Sequence, residues 1–232
     1  MPPPFLIAID GPAGAGKSTV AKALARCLSF LYLDTGALYR ALALKAQREG
    51  IPSADAAALD SLCERTKIDL LQGDAGMRVL LDGEDVTSKI RGEPISILAS
   101  AISAHGPVRK ALLSVQRRVA EQGSLVAEGR DMGTVVFPEA DVKFYLDAAP
   151  EERALRRYRE LEHSHENVNL DSVHQDLQKR DRQDRLRSVA PLRIAEGSHV
   201  IDCSLLTAEE VVEEMLCEVG RRQRNRRKCR ED

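Results

Sequence analysis

The chain has 232 residues, of which 43% are apolar, 30% charged and 3% aromatic. That length and mix describe one domain with a modest insertion and a core of its own, and exclude a collagenous or wholly disordered chain. The 34 basic side chains against 36 acidic ones argue against a body-wide nucleic-acid binder, and the lack of Trp argues against stacking platforms for single strands.

The balance hides an asymmetry. Residues 221–232 hold seven basic and two acidic side chains, which leaves residues 1–220 at net −7. This stretch reads as a basic, disordered tail beyond the domain. Arg outnumbers Lys 25 to 9, a bias that suits forked recognition of phosphate and carboxylate. The five cysteines are widely spaced with no C-x-x-C, so reduced thiols are expected rather than a zinc site or a disulfide framework. The start has no basic n-region and its apolar run is five residues long. No signal peptide or membrane span is expected, and the cytoplasm is the expected compartment.

In chain order, residues 5–9 form a short β-branched run that predicts a buried strand ending at Asp10-Gly11. Val20, Leu24 and Leu28 at fourfold spacing predict a helix over 16–29. A strand at 31–33 and a helix over 36–49 follow, the latter stopped by Gly50 and Pro52. A short helix is predicted at 56–65. Small strands at 68–71, 78–81 and 84–86 surround turn signals at Gly73, Gly76 and Asp82-Gly83. Then come a helix over 106–122, strands at 124–127 and 142–146, charged helices over 150–163 and 170–187, a strand at 200–201 and a helix over 207–220. Alternating strands and helices predict a doubly covered parallel sheet of five strands, an α/β fold, interrupted by the hairpin-like stretch 66–92.

The sharpest motif is Gly11-Pro12-Ala13-Gly14-Ala15-Gly16-Lys17-Ser18, a complete G-x-x-x-x-G-K-[ST] between a predicted strand and a predicted helix. Glycines let successive backbone N–H groups face inward, where they and the helix end hold phosphate oxygens. Lys17 reaches the outer phosphates, the hydroxyl of Ser18 is the candidate Mg2+ ligand, and Thr19 follows in the helix start. The motif predicts nucleoside triphosphate binding. No guanine-reading N-K-x-D occurs, which favours a small phosphoryl-transfer kinase over a switch.

Asp34-Thr35-Gly36-Ala37-Leu38-Tyr39-Arg40 follows the second strand, where a helix cap and a ligand site are both open readings. With it come Glu128-Gly129-Arg130-Asp131-Met132-Gly133-Thr134-Val135-Val136-Phe137-Pro138 and the run from Arg180 to Leu192. Together with the phosphate loop, and over about residues 5 to 219, these blocks resemble the bacterial cytidylate kinases. The resemblance implies a P-loop kinase fold and transfer of a phosphoryl group from ATP to CMP or dCMP with Mg2+. It implies Thr35, Arg40, Arg130 and Arg187 around the acceptor phosphate, Ser100, Arg109 and Asp131 on the cytosine, and Arg180 and Asp184 near the sugar. It also implies that 66–92 is an acceptor-side insertion and that about 151–190 forms a lid with acceptor-binding helices. Arg153, Arg156 and Arg157 of that lid are the candidate catalytic cations beside Lys17.

The domain is therefore expected to be 1–220, with its core in 1–65, 93–150 and 195–220. Elementary chemistry agrees with the resemblance. Arg forks neutralise a phosphate acceptor beside a polyanionic donor, and a carboxylate accepts from the cytosine amine while an Arg donates to N3 or O2. The acceptor oxygen is already anionic, so no protein base is required. A monomer acting on small molecules, without membrane or specific nucleic acid, is expected. Two rivals remain open: a kinase for another monophosphate or metabolite, and a noncatalytic nucleotide sensor whose tail binds RNA.

Overall fold

The computed structural model describes residues 3–73, 76–163 and 168–231. The chain begins with β1 (Leu6–Asp10), α1 (Lys17–Leu28), β2 (Leu31–Asp34), α2 (Thr35–Arg48) and α3 (Ala56–Glu64). The stretch that interrupts the alternation forms β3 (Ile68–Gly73), β4 (Gly76–Leu81) and β5 (Glu84–Asp85), a small antiparallel sheet. Next are α4 (Glu93–Ile102), α5 (Gly106–Ala120), β6 (Leu125–Gly129), a π-turn over Met132–Val136, and β7 (Val142–Asp147). The chain closes with α6 (Pro150–His163), α7 (Leu170–Leu186), β8 (His199–Asp202) and α8 (Ala208–Glu231).

The five predicted strands make one parallel sheet in the order β2-β6-β1-β7-β8. Side chains alternate across it, as period-2 geometry requires. Ala8, Leu33, Leu125 and Ala127 face Leu38, Leu42 and Leu59 on one side, while Ile7, Ile9, Val126 and Phe144 face Leu24, Val211 and Met215 on the other. Both faces are covered, which is why the strands read as continuous apolar runs. In the small sheet, Asp82 and Gly83 both take positive φ (50° and 89°), the geometry of a tight hairpin turn. Gln72 donates to Tyr32 O at 2.8 Å and ties this sheet to the β2 edge.

Two expectations change. Helix α4 was not predicted: Gly92 caps it with no side-chain hydrogen bond, although Glu93 and Pro94 in its first turn are start signals the sequence offered. The tail expected to be disordered instead continues α8 through residue 231. Arg222 pairs with Glu218 one turn back at 2.9 Å. Arg226 donates to the carbonyls of Pro3 and Pro4, pairs with Asp141 at 3.1 Å and lies over the Phe5 ring. Among the described residues no helix is long and apolar enough to cross a membrane.

Candidate active site

The site lies at the carboxyl ends of β1, β2 and β6, where ligands bind in open parallel sheets. Between β1 and α1 the loop from Gly11 to Gly16 curls under backbone constraints that select glycine. At Gly11, with φ 151°, a Cβ would sit 2.0 Å from Leu146 O. At Gly14, with φ 74°, it would sit 2.9 Å from Arg153 O. Lys17 is buried and donates to Pro12 O at 2.6 Å. Burial, then repulsion by Arg130, brings its ammonium down to a pKa of about 7, against the pull of Glu128, Asp184 and Asp10.

The ends of β2 and β6 supply the neighbouring wall. Asp34 accepts from the Ala37 N–H at 3.0 Å, capping α2, and pairs with Arg40 at 2.7 Å. The cap reading of this segment holds, and the capping carboxylate also pairs with an arginine of the same helix. Burial raises the Asp34 carboxyl, but Arg40 and the Ala37 N–H outweigh it and leave it below its ordinary value. Thr35 donates to Glu128 O at 2.7 Å. Glu128 itself is buried and takes a 2.5 Å hydrogen bond from Tyr32. Burial and the nearby Asp34 push its pKa up against hydrogen bonds from Tyr32 and Ser18. Sequence reasoning missed Glu128. Its signal was a carboxylate near the end of an otherwise apolar interior strand, a position where an unpaired charge is costly.

The remaining wall is cationic. Arg109 and Asp131 form a buried ion pair, Arg109 donates to Ser103 O at 3.2 Å, and its guanidinium lies 5.5 Å from the Tyr39 ring centre. Arg130 pairs with Asp184 at 2.9 Å. Arg187 pairs with Asp184 at 3.4 Å and with Asp131 at 3.9 Å, and its buried Nη2 makes no hydrogen bond among the described residues. Gln183 donates to Ser100 O at 2.8 Å, joining α7 to α4. Asp10 orients the segment after β6 by accepting the N–H groups of Met132 and Gly133, each at 2.8 Å. Its pKa rises to about 6, chiefly through burial.

All nine residues assigned to the acceptor line one cavity of about 250 Å3, as do Ala13, Gly14 and Gly16 to Thr19 of the phosphate loop. Gly11, Pro12 and Ala15 support that loop from behind. Of the three candidate catalytic arginines only Arg157 lines the cavity. Arg153 is buried behind the loop, and Arg156 donates to Cys203 O at 2.5 Å. No cluster of three His, Cys, Asp or Glu fit for a metal occurs among the described residues. The hard oxygens of Ser18, Asp34 and Glu128 share one wall, which fits a Mg2+ shared with substrate phosphates rather than caged by protein.

A parallel sheet in this order, with a phosphate loop after its central strand and an arginine-lined cavity against that loop, defines a P-loop kinase. The cytidylate kinase family model matches residues 7–221. A cytidylate kinase of Geobacter sp. (strain M21) is 50% identical over 210 residues, 90% of each chain. That of Geobacter sulfurreducens is 48% identical over 220 residues, 95% of this chain and 94% of its own. Among solved structures, an uncharacterized protein from Eubacterium ventriosum ATCC 27560 has the same fold, with a TM-score of 0.53 at 12% identity over 93% of this chain and 98% of its own. The chain belongs to the cytidylate kinase family and is an ATP-dependent phosphotransferase.

Proposed function

We propose that the γ-phosphoryl group of ATP passes in line to a 5′-phosphate oxygen of CMP or dCMP in this cavity, giving ADP and CDP or dCDP. The observation that carries this reading is the buried Arg109–Asp131 pair in the same cavity as Lys17. Cytosine presents an amine donor at N4 beside acceptors at N3 and O2. A carboxylate next to a guanidinium is the complementary pattern. Asp131 accepts from the amine, Arg109 donates to N3 or O2, and Ser100 closes that edge. Thr35, Arg40, Arg130 and Arg187 hold the acceptor phosphate, and Arg180 and Asp184 the sugar.

Backbone N–H groups from Gly11 to Gly16 hold the donor phosphates, with Ser18 and Thr19 at the helix start. Lys17 leaves Pro12 O for the γ-phosphate, and Arg157 adds charge where the transferred group develops it. Arg153 and Arg156 keep the loop and the β8 end in place. Ser18, with Glu128 and Asp34 behind it, would hold Mg2+, which neutralises donor charge when bound. The acceptor oxygen is already anionic, so positioning and charge stabilisation carry the reaction. The protein acts as a cytoplasmic monomer. Coupled ADP release across CMP, dCMP, UMP, AMP and GMP tests this reading. CMP and dCMP should give the highest kcat/KM, and equal use of purine monophosphates would refute it.

A further inference from the structure

Two cavity-lining arginines are held by a carboxylate that does not line the cavity. Glu93, the first residue of α4, pairs through Oε2 with Nη2 of Arg157 on α6. Its Oε1 lies 3.8 Å from Nη1 of Arg180 on α7. One side chain therefore joins three helices at the mouth of the site. The three side chains are only 17%, 22% and 23% exposed, so solvent screens their attraction incompletely. The first turn of a helix also favours a negative charge.

The arginines need such a partner. Burial and the like charge of Arg130 depress Arg180, and Arg157 adds to that repulsion. Left alone, the two guanidinium groups would separate. Glu93 offsets the repulsion by bridging the two guanidinium groups, while Nη1 of Arg157 is held by Glu160 of its own helix at 3.0 Å. Arg157 has a buried Nε with no hydrogen-bond partner among the described residues.

We propose that Glu93 is a positioning residue for phosphoryl transfer, aiming Arg157 and Arg180 into the cavity and drawing α6 and α7 against α4. This rests on the reading that Arg157 and Arg180 serve the substrates. Its effect falls on kcat, because orientation matters most where charge moves between donor and acceptor.

The test is a mutant cycle. Glu93→Gln should lower kcat about tenfold with the KM for ATP within about twofold. Glu93→Asp keeps the charge and should recover most of that loss. In an Arg157→Ala background, Glu93→Gln should cost less than about threefold more, because its closer partner is gone and only the longer contact to Arg180 is left for it to hold. Loss of kcat in Arg157→Ala with none in Glu93→Gln overturns this inference alone. Full activity of Arg157→Ala removes Arg157 from the proposed function and this inference with it. A full further tenfold loss in the double variant, or equal losses in the Gln and Asp variants with lowered Tm, gives Glu93 a merely structural role and overturns the proposal.

Discussion

Arg153 of α6 and Asp181 of α7 form a buried ion pair of 2.5 Å that grips both backbone polar groups of Ala13 in the phosphate loop. Arg153 donates to Ala13 O at 2.9 Å, and Asp181 accepts the Ala13 N–H at 3.3 Å. Helices α6 and α7 are thereby bolted to the phosphate loop. Arg153, expected among the catalytic cations, has its guanidinium spent on this clamp and on Ala148 O.

Removing one partner of a buried pair leaves the other charge uncompensated. Asp181→Asn should therefore destabilise the protein by about 3–5 kcal/mol and raise the KM for ATP more than that for CMP. The denaturant midpoint reads the first effect and steady-state kinetics the second. An unchanged midpoint would show that the clamp contributes little.

Lys17 gives a pH signature. Its pKa of about 7 leaves it mostly neutral at pH 8 without ligand, and a triphosphate beside it restores the charge. ATP binding should take up about one proton at pH 8, falling toward none at pH 6. Calorimetry in buffers of different ionisation heat measures this, and Lys17→Ala should abolish the uptake while lowering turnover about a hundredfold or more. The sign for stability follows. The folded pKa lies below the ordinary 10.5, so the unfolded chain binds more protons between about 7 and 10.5. The contribution of Lys17 to stability accordingly rises with pH through that window.

Arg130 touches both halves of the site. It pairs with Asp184 and depresses Lys17. Arg130→Ala should weaken the use of CMP by about 2–4 kcal/mol in kcat/KM and leave ATP affinity nearly intact. It should also move the midpoint of ATP-linked proton uptake to higher pH. Loss of ATP affinity with an unchanged CMP dependence would contradict its assignment to the acceptor.

The end of α8 packs lightly. Arg226 covers Phe5 and reaches Asp141, both near the start of β1, the opposite end of that strand from the phosphate loop. Deleting residues 221–232 should leave kcat unchanged and lower stability by about 1 kcal/mol, the scale of partly exposed cation–π and ion pairs. A large loss of turnover in the truncated protein would contradict this.

The parts of the fold legible in the sequence are those with local signals. The apolar runs, the Asp82-Gly83 turn and the complete phosphate loop each announce their geometry within a few residues. The acceptor residues come from α2, α4, α5, the end of β6 and α7, and only a family resemblance gathers them beforehand. Glu93 and Glu128 were not legible. One opens a helix without a capping side chain, and the other looks like part of a strand until Tyr32 and Ser18 are seen against it. The place of Arg153 was not legible because a guanidinium spent on backbone carbonyls and one aimed at a phosphate have the same sequence. The basic tail was misread because its helix draws on contacts with residues 3 to 5 and 141, which sequence proximity does not show.

The central claim is that Asp131 reads the cytosine amine. Cytosine and uracil differ at position 4, a donor against an acceptor, and an ionised carboxylate can only accept. The direct measurement is kcat/KM for CMP and for UMP in the parent protein and in Asp131→Asn. The parent should prefer CMP, and the variant should lose CMP activity and narrow the CMP-to-UMP ratio by about 1–3 kcal/mol. A ratio unchanged by the substitution would contradict the account and move base selection to Ser100 and Arg109.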